Sequence, residues 1–123
     1  MRKIRIAAGD LVETAVLNNS PTADAIWAAV PFVGQANRWG DEIYFEIPVQ
    51  IAQAGDAREV VEPGELGYWP VGHAFCIFWG PTPASKGDEP RAYSPVNVFG
   101  RLEGDPQVFA RIASNTSIQV ERL

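Results

Sequence analysis

Short segments in which apolar and polar residues alternate recur along the chain, and Gly or Pro separates most of them. In the clearest of these, residues 41–49, every second side chain is apolar from Ile43 onward. A period of two is typical of a β-strand with one buried face. The pattern therefore predicts a protein built mainly of β-strands.

Six further segments show the same alternation or a short apolar run bounded by turn residues, at residues 1–8, 11–17, 58–61, 74–79, 96–102 and 118–123. With one or two helices, about seven or eight short strands are typical of a small closed β-barrel of about eight strands capped by the helices. Residues 67–72 are predicted to be a turn-rich connection. Residues 80–94, the longest stretch without periodicity, are predicted to be either a mobile lid or a packed surface loop.

One helix is predicted to begin after Ser20 and to end before Pro31. A Ser side chain can cap the free backbone amides, and Pro21 at the first helical position loses nothing by lacking an N–H. Apolar residues at positions 23, 26, 27 and 30 form a single stripe along this helix. A second helical turn is predicted near residues 106–112.

The chain has 123 residues, the size of one domain, which we expect to span residues 1–123. Fifteen acidic residues against ten basic ones give a net charge of −5, whereas binding to nucleic acid or an anionic membrane normally needs a basic surface. We therefore expect neither as a partner. Cys76 is the only cysteine, so no intramolecular disulfide can form, and no apolar run approaches the length of a membrane span. A cytoplasmic location is the expectation.

No arrangement of residues specifies a reaction, so the sequence leaves open whether the protein is an enzyme. A zinc site needs about four Cys or His ligands, and the chain has only Cys76 and His73, so we expect no metal and no cofactor. These two side chains would point to opposite faces of one strand, which separates a cysteine nucleophile from its base. Glu42 and Glu46 would share a strand face at a separation of roughly 13 Å, and we expect both to be solvated.

Aromatic residues cluster where the predicted strands meet turns. Tyr and Trp combine a large apolar area with a polar tip, and they line pockets and interfaces for that reason. These rings either fill the barrel and cover its mouth or line a ligand pocket. If a pocket exists, the candidate ligand-binding residues are Arg38, Trp39, Tyr44, Tyr68, Trp69, His73 and Asn97.

Four segments of the sequence resemble a family of small prokaryotic proteins with a cyclophilin-like barrel: residues 39–45 (WGDEIYF), 67–72 (GYWPVG), 78–83 (FWGPTP) and 96–98 (VNV). The resemblance covers most of the chain and implies an eight-stranded barrel capped by helices, with an activity that is mostly uncharacterised. True cyclophilins isomerise X-Pro bonds with an arginine on a barrel strand beside a hydrophobic pocket. Their characteristic motifs are absent, and neither Arg38 nor Arg101 matches the catalytic arginine by motif, so the resemblance assigns no catalytic residue.

Three functions follow from these observations. The first is a module that binds a small molecule or an extended peptide at the aromatic residues. The second is a peptidyl-prolyl isomerase with a rearranged site that uses Arg38 or Arg101. The third is an assembly module that forms a homodimer through apolar faces.

Overall fold

A computed structural model describes all residues from Met1 to Leu123. The ten strands are β1 (Lys3–Ala8), β2 (Leu11–Leu17), β3 (Phe32–Gln35), β4 (Asn37–Arg38), β5 (Glu42–Glu46), β6 (Arg58–Val60), β7 (Glu65–Trp69), β8 (Ala74–Phe78), β9 (Arg91–Leu102) and β10 (Ser117–Arg122). The helical elements are α1 (Pro21–Ala29) and two 3₁₀ helices, Pro70–Gly72 and Pro106–Arg111. None of these helices has the length and apolar character required to cross a membrane.

The strands form one antiparallel sheet in the order β3-β10-β1-β2-β9-β7-β8-β5-β4, and β6 pairs with β9 beside this path. The prediction of a closed barrel of about eight strands is wrong, because the sheet has ten strands and its two ends are not joined. Between β3 and β4 lies only Ala36, whose backbone bonds to Asn115 and Thr116 at 2.8 Å each. β3 pairs with β10 and β4 pairs with β5, and no ladder links β3 to β4.

Most predicted elements are confirmed, and three strands were missed. The Ser20 hydroxyl accepts a hydrogen bond from the Ala23 N–H at 3.1 Å, as expected for a helix cap. The missed strands are β3, β4 and β7, and β9 begins five residues earlier than the predicted start at residue 96. Strand β7 occupies part of the segment predicted as a turn-rich connection. A Cβ at Gly67 would lie 2.7 Å from the Val96 side chain, so Gly67 allows β7 and β9 to approach closely.

The main hydrophobic core contains 26 buried residues on one face of the sheet. Helix α1 contributes Ala23 and Ile26, and Phe75 stacks on Phe45 with ring centroids 5.0 Å apart. Gly34 lies so close to Phe45 that a Cβ there would be 2.6 Å from its ring. The sheet thus curls around this core even though its ends do not pair.

A second, smaller core lies on the opposite face of β8 and consists of Val61, Ala74, Cys76, Phe78, Ala92 and Val96. The first half of β9 covers this face, because residues 91–96 pair with β6 while residues 97–101 pair with β7. Tyr44, Trp69 and Val98 pack around the cluster. This second layer positions the candidate site.

Candidate functional site

A pocket of about 160 Å³ opens at the border of the second core, and we call it the aromatic pocket. Its lining consists of Trp39, Glu42, Tyr44, Trp69, Ala92, Tyr93 and Val96. The volume is close to that of an engineered apolar cavity of about 150 Å³ that holds benzene. The aromatic pocket therefore has room for one ring-sized group.

The tight turn between β4 and β5 places Trp39 and Glu42 at the pocket. The Trp39 N–H donates to the Glu42 carbonyl at 3.0 Å, which closes the turn. Gly40 has φ +61°, and a Cβ there would lie 2.9 Å from the Cα of Thr82. Because this backbone conformation and this close approach both require glycine, residue 40 fixes how the turn packs against the following loop.

Four aromatic rings form the wall of the aromatic pocket through three edge-to-face contacts. Tyr44 contacts Trp69 at a centroid distance of 6.2 Å, Trp69 contacts Tyr93 at 6.1 Å, and Tyr93 contacts Trp39 at 6.1 Å. The interplanar angles are 69–77°, so successive rings stand nearly perpendicular to one another. This geometry is favourable for aromatic pairs and holds the wall together without a ligand.

The indole of Trp69 is fixed in place at two points. Its Nε1 donates a hydrogen bond to Ser94 Oγ at 2.5 Å. Its six-membered ring lies against Gly72, where a Cβ would be only 2.6 Å from the indole. The pocket wall is therefore formed before any ligand binds.

Glu42 is the one charged residue in the lining. Only 4% of its surface is exposed, and its Oε1 is the only buried side-chain nitrogen or oxygen in the protein without a hydrogen-bond partner. Burial raises the pKa of Glu42 to about 7, and the neighbouring Cys76 thiol opposes this with a smaller lowering effect. The expectation that Glu42 lies on a solvated face is wrong, because β9 and β6 cover that face.

Cys76 lies beneath the pocket and is buried. Its thiol donates to the Ala74 carbonyl at 3.8 Å. Burial and the nearby Glu42 carboxyl raise the pKa of Cys76 well above that of a free thiol. The thiol therefore stays protonated, as is typical of a buried cysteine with a structural rather than a reactive role.

Three of the seven candidate residues come together in the aromatic pocket: Trp39, Tyr44 and Trp69. Tyr68 lies in the main core instead, where its hydroxyl donates to the Val49 carbonyl at 2.6 Å. His73 ends the 3₁₀ helix with φ 50° and is not part of the lining.

The other two candidates have structural contacts away from the pocket. The Asn97 amide is buried; its Nδ2 donates to Thr22 and Ala52, and its Oδ1 accepts from the Ala54 N–H at 2.8 Å. It thereby holds the 52–54 loop against helix α1. Arg38 donates to the carbonyls of Ala110 and Ile112 at 3.0 Å each.

The sequence did not indicate that Ala92, Tyr93 and Val96 line the pocket, and Glu42 was predicted to be solvated although it is buried. Ala92 and Tyr93 lie within the stretch without periodicity, so nothing local indicated a strand there, and Val96 was predicted only as the first residue of a strand. A signal did exist in β8, whose residues are apolar at every position and thus indicate burial on both faces. Since Glu42 and Tyr44 share a face with Cys76, that face had to be covered as well.

Of the segment 80–94, residues 80–90 form a packed surface loop rather than a lid, and residues 91–94 belong to β9. The Thr82 N–H donates to Ser85 Oγ at 2.9 Å, and the Ser85 hydroxyl donates in turn to the Glu89 carbonyl. The Glu89 carboxylate accepts from the amides of Lys86 and Gly87 at 2.9 and 2.8 Å. These internal bonds hold the loop that leads into β9 and so position Tyr93.

Comparison with known proteins identifies the family to which this fold belongs. A family described as cyclophilin-like matches residues 2–121. The solution structure of the hypothetical protein AF2241 from Archaeoglobus fulgidus is similar, with a TM-score of 0.83 and 35% sequence identity over 99% of this chain and 95% of that one. No curated protein matches the sequence. The resemblance found in the sequence is thus confirmed, and the chain belongs to the cyclophilin-like family.

Proposed function

We propose that this protein is a binding module that accepts a ring-sized apolar group, from a small molecule or an extended peptide, in the aromatic pocket. The observation that carries the proposal is a preformed aromatic wall with an accessible rim. Tyr93 is 73% exposed although it contacts both Trp39 and Trp69, so solvent reaches the pocket beside it. An apolar group that fills the pocket would displace water from the rings, and this removal of apolar surface from water favours binding.

The four tryptophans allow a direct test. Trp39 and Trp69 line the aromatic pocket, whereas Trp27 and Trp79 lie elsewhere, beside Arg122 and Phe109 respectively. In a fragment screen monitored by indole N–H signals in NMR spectra, we expect ring-sized fragments to shift the Trp39 and Trp69 signals and to leave the other two unchanged. The Trp39→Leu variant should lose this response, and Trp27→Leu serves as the matched control. Uniformly unchanged Trp39 and Trp69 signals would contradict the proposal.

No observation favours the two alternatives to the same degree. The isomerase hypothesis needs Arg38 or Arg101 beside a substrate pocket, but neither lines the aromatic pocket, and Arg101 pairs with Glu62 at 2.7 Å. The assembly hypothesis needs one apolar face. The exposed large apolar residues instead belong to different elements and both chain ends: Met1, Val12, Val33, Val60, Val71, Tyr93 and Leu123. A binding module remains the function that the geometry supports best.

A further inference from the structure

The aromatic pocket contains a buried carboxyl group without a counter-charge. No Lys or Arg is among the lining residues, and Glu42 makes no salt bridge. The titratable groups that face Glu42 are the Cys76 thiol beneath it and the phenols of Tyr44 and Tyr93, none of which is a cation. An ionised carboxylate is costly to bury unless something pairs with it, so a bound cation would relieve a cost that the folded protein already bears.

The wall around Glu42 also suits a cation. The faces of Trp and Tyr rings carry a negative potential, and cages of such rings recognise quaternary ammonium groups. Here two Trp and two Tyr rings line the same pocket as the Glu42 carboxyl group, and successive rings are nearly perpendicular. The rings and Glu42 therefore favour positive charge in the same place.

The geometry assigns the aromatic pocket to an alkylated ammonium group, with Glu42 as its counter-ion. This inference rests on the proposed function, since it names the class of group that the pocket binds. The protein would thus recognise a quaternary or highly substituted amine, alone or at the end of a longer ligand.

The lining argues against other cations. A primary ammonium carries three N–H donors that need acceptors, whereas six of the seven lining residues are hydrophobic. A metal ion needs several oxygen, nitrogen or thiolate ligands, and no group of three His, Cys, Asp or Glu side chains comes together anywhere in the structure. An alkylated ammonium has few or no N–H groups and presents methyl groups to the rings, so it avoids both problems.

The test compares two probes of the same shape: choline and its uncharged isostere tert-butylethanol, in which carbon replaces nitrogen. Binding is followed by the indole N–H signals of Trp39 and Trp69. Near pH 8 we expect choline to bind at least about tenfold more tightly than tert-butylethanol, as a desolvated ion pair with added cation–π contacts should provide. Because only ionised Glu42 pairs with choline, its affinity should fall about tenfold from pH 8 to pH 6, while that of tert-butylethanol stays constant.

Glu42→Gln should reduce the preference for choline to the part that the rings provide and remove its pH dependence, while retaining weak binding of tert-butylethanol. Glu46→Gln is the matched control, because Glu46 lies on the same strand but is exposed, and it should keep both. Equal affinity for the two probes in the native protein, or an unchanged preference in Glu42→Gln, would overturn the ammonium assignment and leave the proposed function intact. If neither probe, and no ring-sized fragment, shifts the Trp39 and Trp69 signals, both fail.

Discussion

The carboxyl group of Glu42 is buried, and its Oε1 has no hydrogen-bond partner. The turn before β5 and the rings of Trp39 and Tyr44 enclose it, and burial holds its pKa near 7. In the unfolded chain a glutamate has an ordinary pKa of about 4.5. The folded protein therefore binds this proton more tightly than the unfolded chain does, and the difference makes stability depend on pH.

We predict that the free energy of unfolding falls as the pH rises through the interval between these two pKa values. Ionised Glu42 destabilises the folded state by roughly 3 kcal/mol, given a pKa of about 7 against 4.5 for the free side chain. Glu42→Gln removes this effect, so it should stabilise the protein near pH 8 and change little near pH 4. Denaturant unfolding at both values measures this, with Glu46→Gln as the control. If the free energy of unfolding changed equally with pH in Glu42→Gln and in the native protein, the buried environment of Glu42 would be contradicted.

Gly72 sets the position of the Trp69 indole. In Gly72→Ala the new methyl group would overlap a ring that lies 2.6 Å from the ideal Cβ position, so the ring must move or the protein must bear the strain. We expect a loss of about 1–3 kcal/mol of stability, which is typical of overpacking, and weaker binding of ring-sized fragments. Gly55→Ala is the matched control, since no atom lies within 4 Å of its added methyl group. Native stability and native fragment binding in Gly72→Ala would show that Trp69 is not held in this way.

At the scale of elements, the short strand β6 is held in place by a partly buried ion pair. Arg58 on β6 donates two hydrogen bonds to Glu65 on β7, at 2.9 and 2.8 Å, and Glu65 also accepts from the Glu62 N–H at 2.8 Å. Burial opposes ionisation of Glu65, but these donors outweigh it and lower its pKa. The pair therefore connects the layer over the second core to the main sheet.

We predict that Arg58→Ala loosens β6 while the main sheet remains folded. The loss leaves the nearly buried Glu65 without its main partner, and because Arg58 is half-exposed we expect a cost of about 1–2 kcal/mol. Amide hydrogen exchange should accelerate in residues 58–61 and 91–96 more than in β1 and β10. Arg5→Ala is the control, because its pair with Glu121 is exposed on both sides and should contribute less than about 1 kcal/mol. Equal effects of the two variants would contradict a special role for the Arg58 pair.

The sequence predicts elements well where local chemistry determines them. Alternation located β1, β2 and β5, and the capping residue Ser20 located the start of α1. Strand β7 was missed because Gly67, Pro70 and Gly72 locally indicate a turn. The close packing of β7 on β9 overrides that local preference. Strand β3 was missed because it pairs only with β10, which is distant in the chain. Strand β4 was missed because it is only two residues long.

At the scale of the whole molecule, one sheet separates two cores, and only one was evident from the sequence. Alternation indicates which residues share a face but not whether that face is covered. The first half of β9 covers the second face after a connection, residues 79–90, that has no periodicity. For this reason Trp39, Tyr44 and Trp69 were predicted as a candidate site from their types and their positions beside predicted turns, while the buried state of Glu42 depends on the tertiary fold.

Glu42 lies in the aromatic pocket as an ionisable group without a counter-charge, and a carbon-13 NMR titration of the side-chain carboxyls measures this directly. We predict one glutamate that titrates near pH 7, that is absent from Glu42→Gln, and whose pKa falls when choline is added. A protein in which every glutamate titrates below about pH 5, close to the ordinary value, would contradict the account.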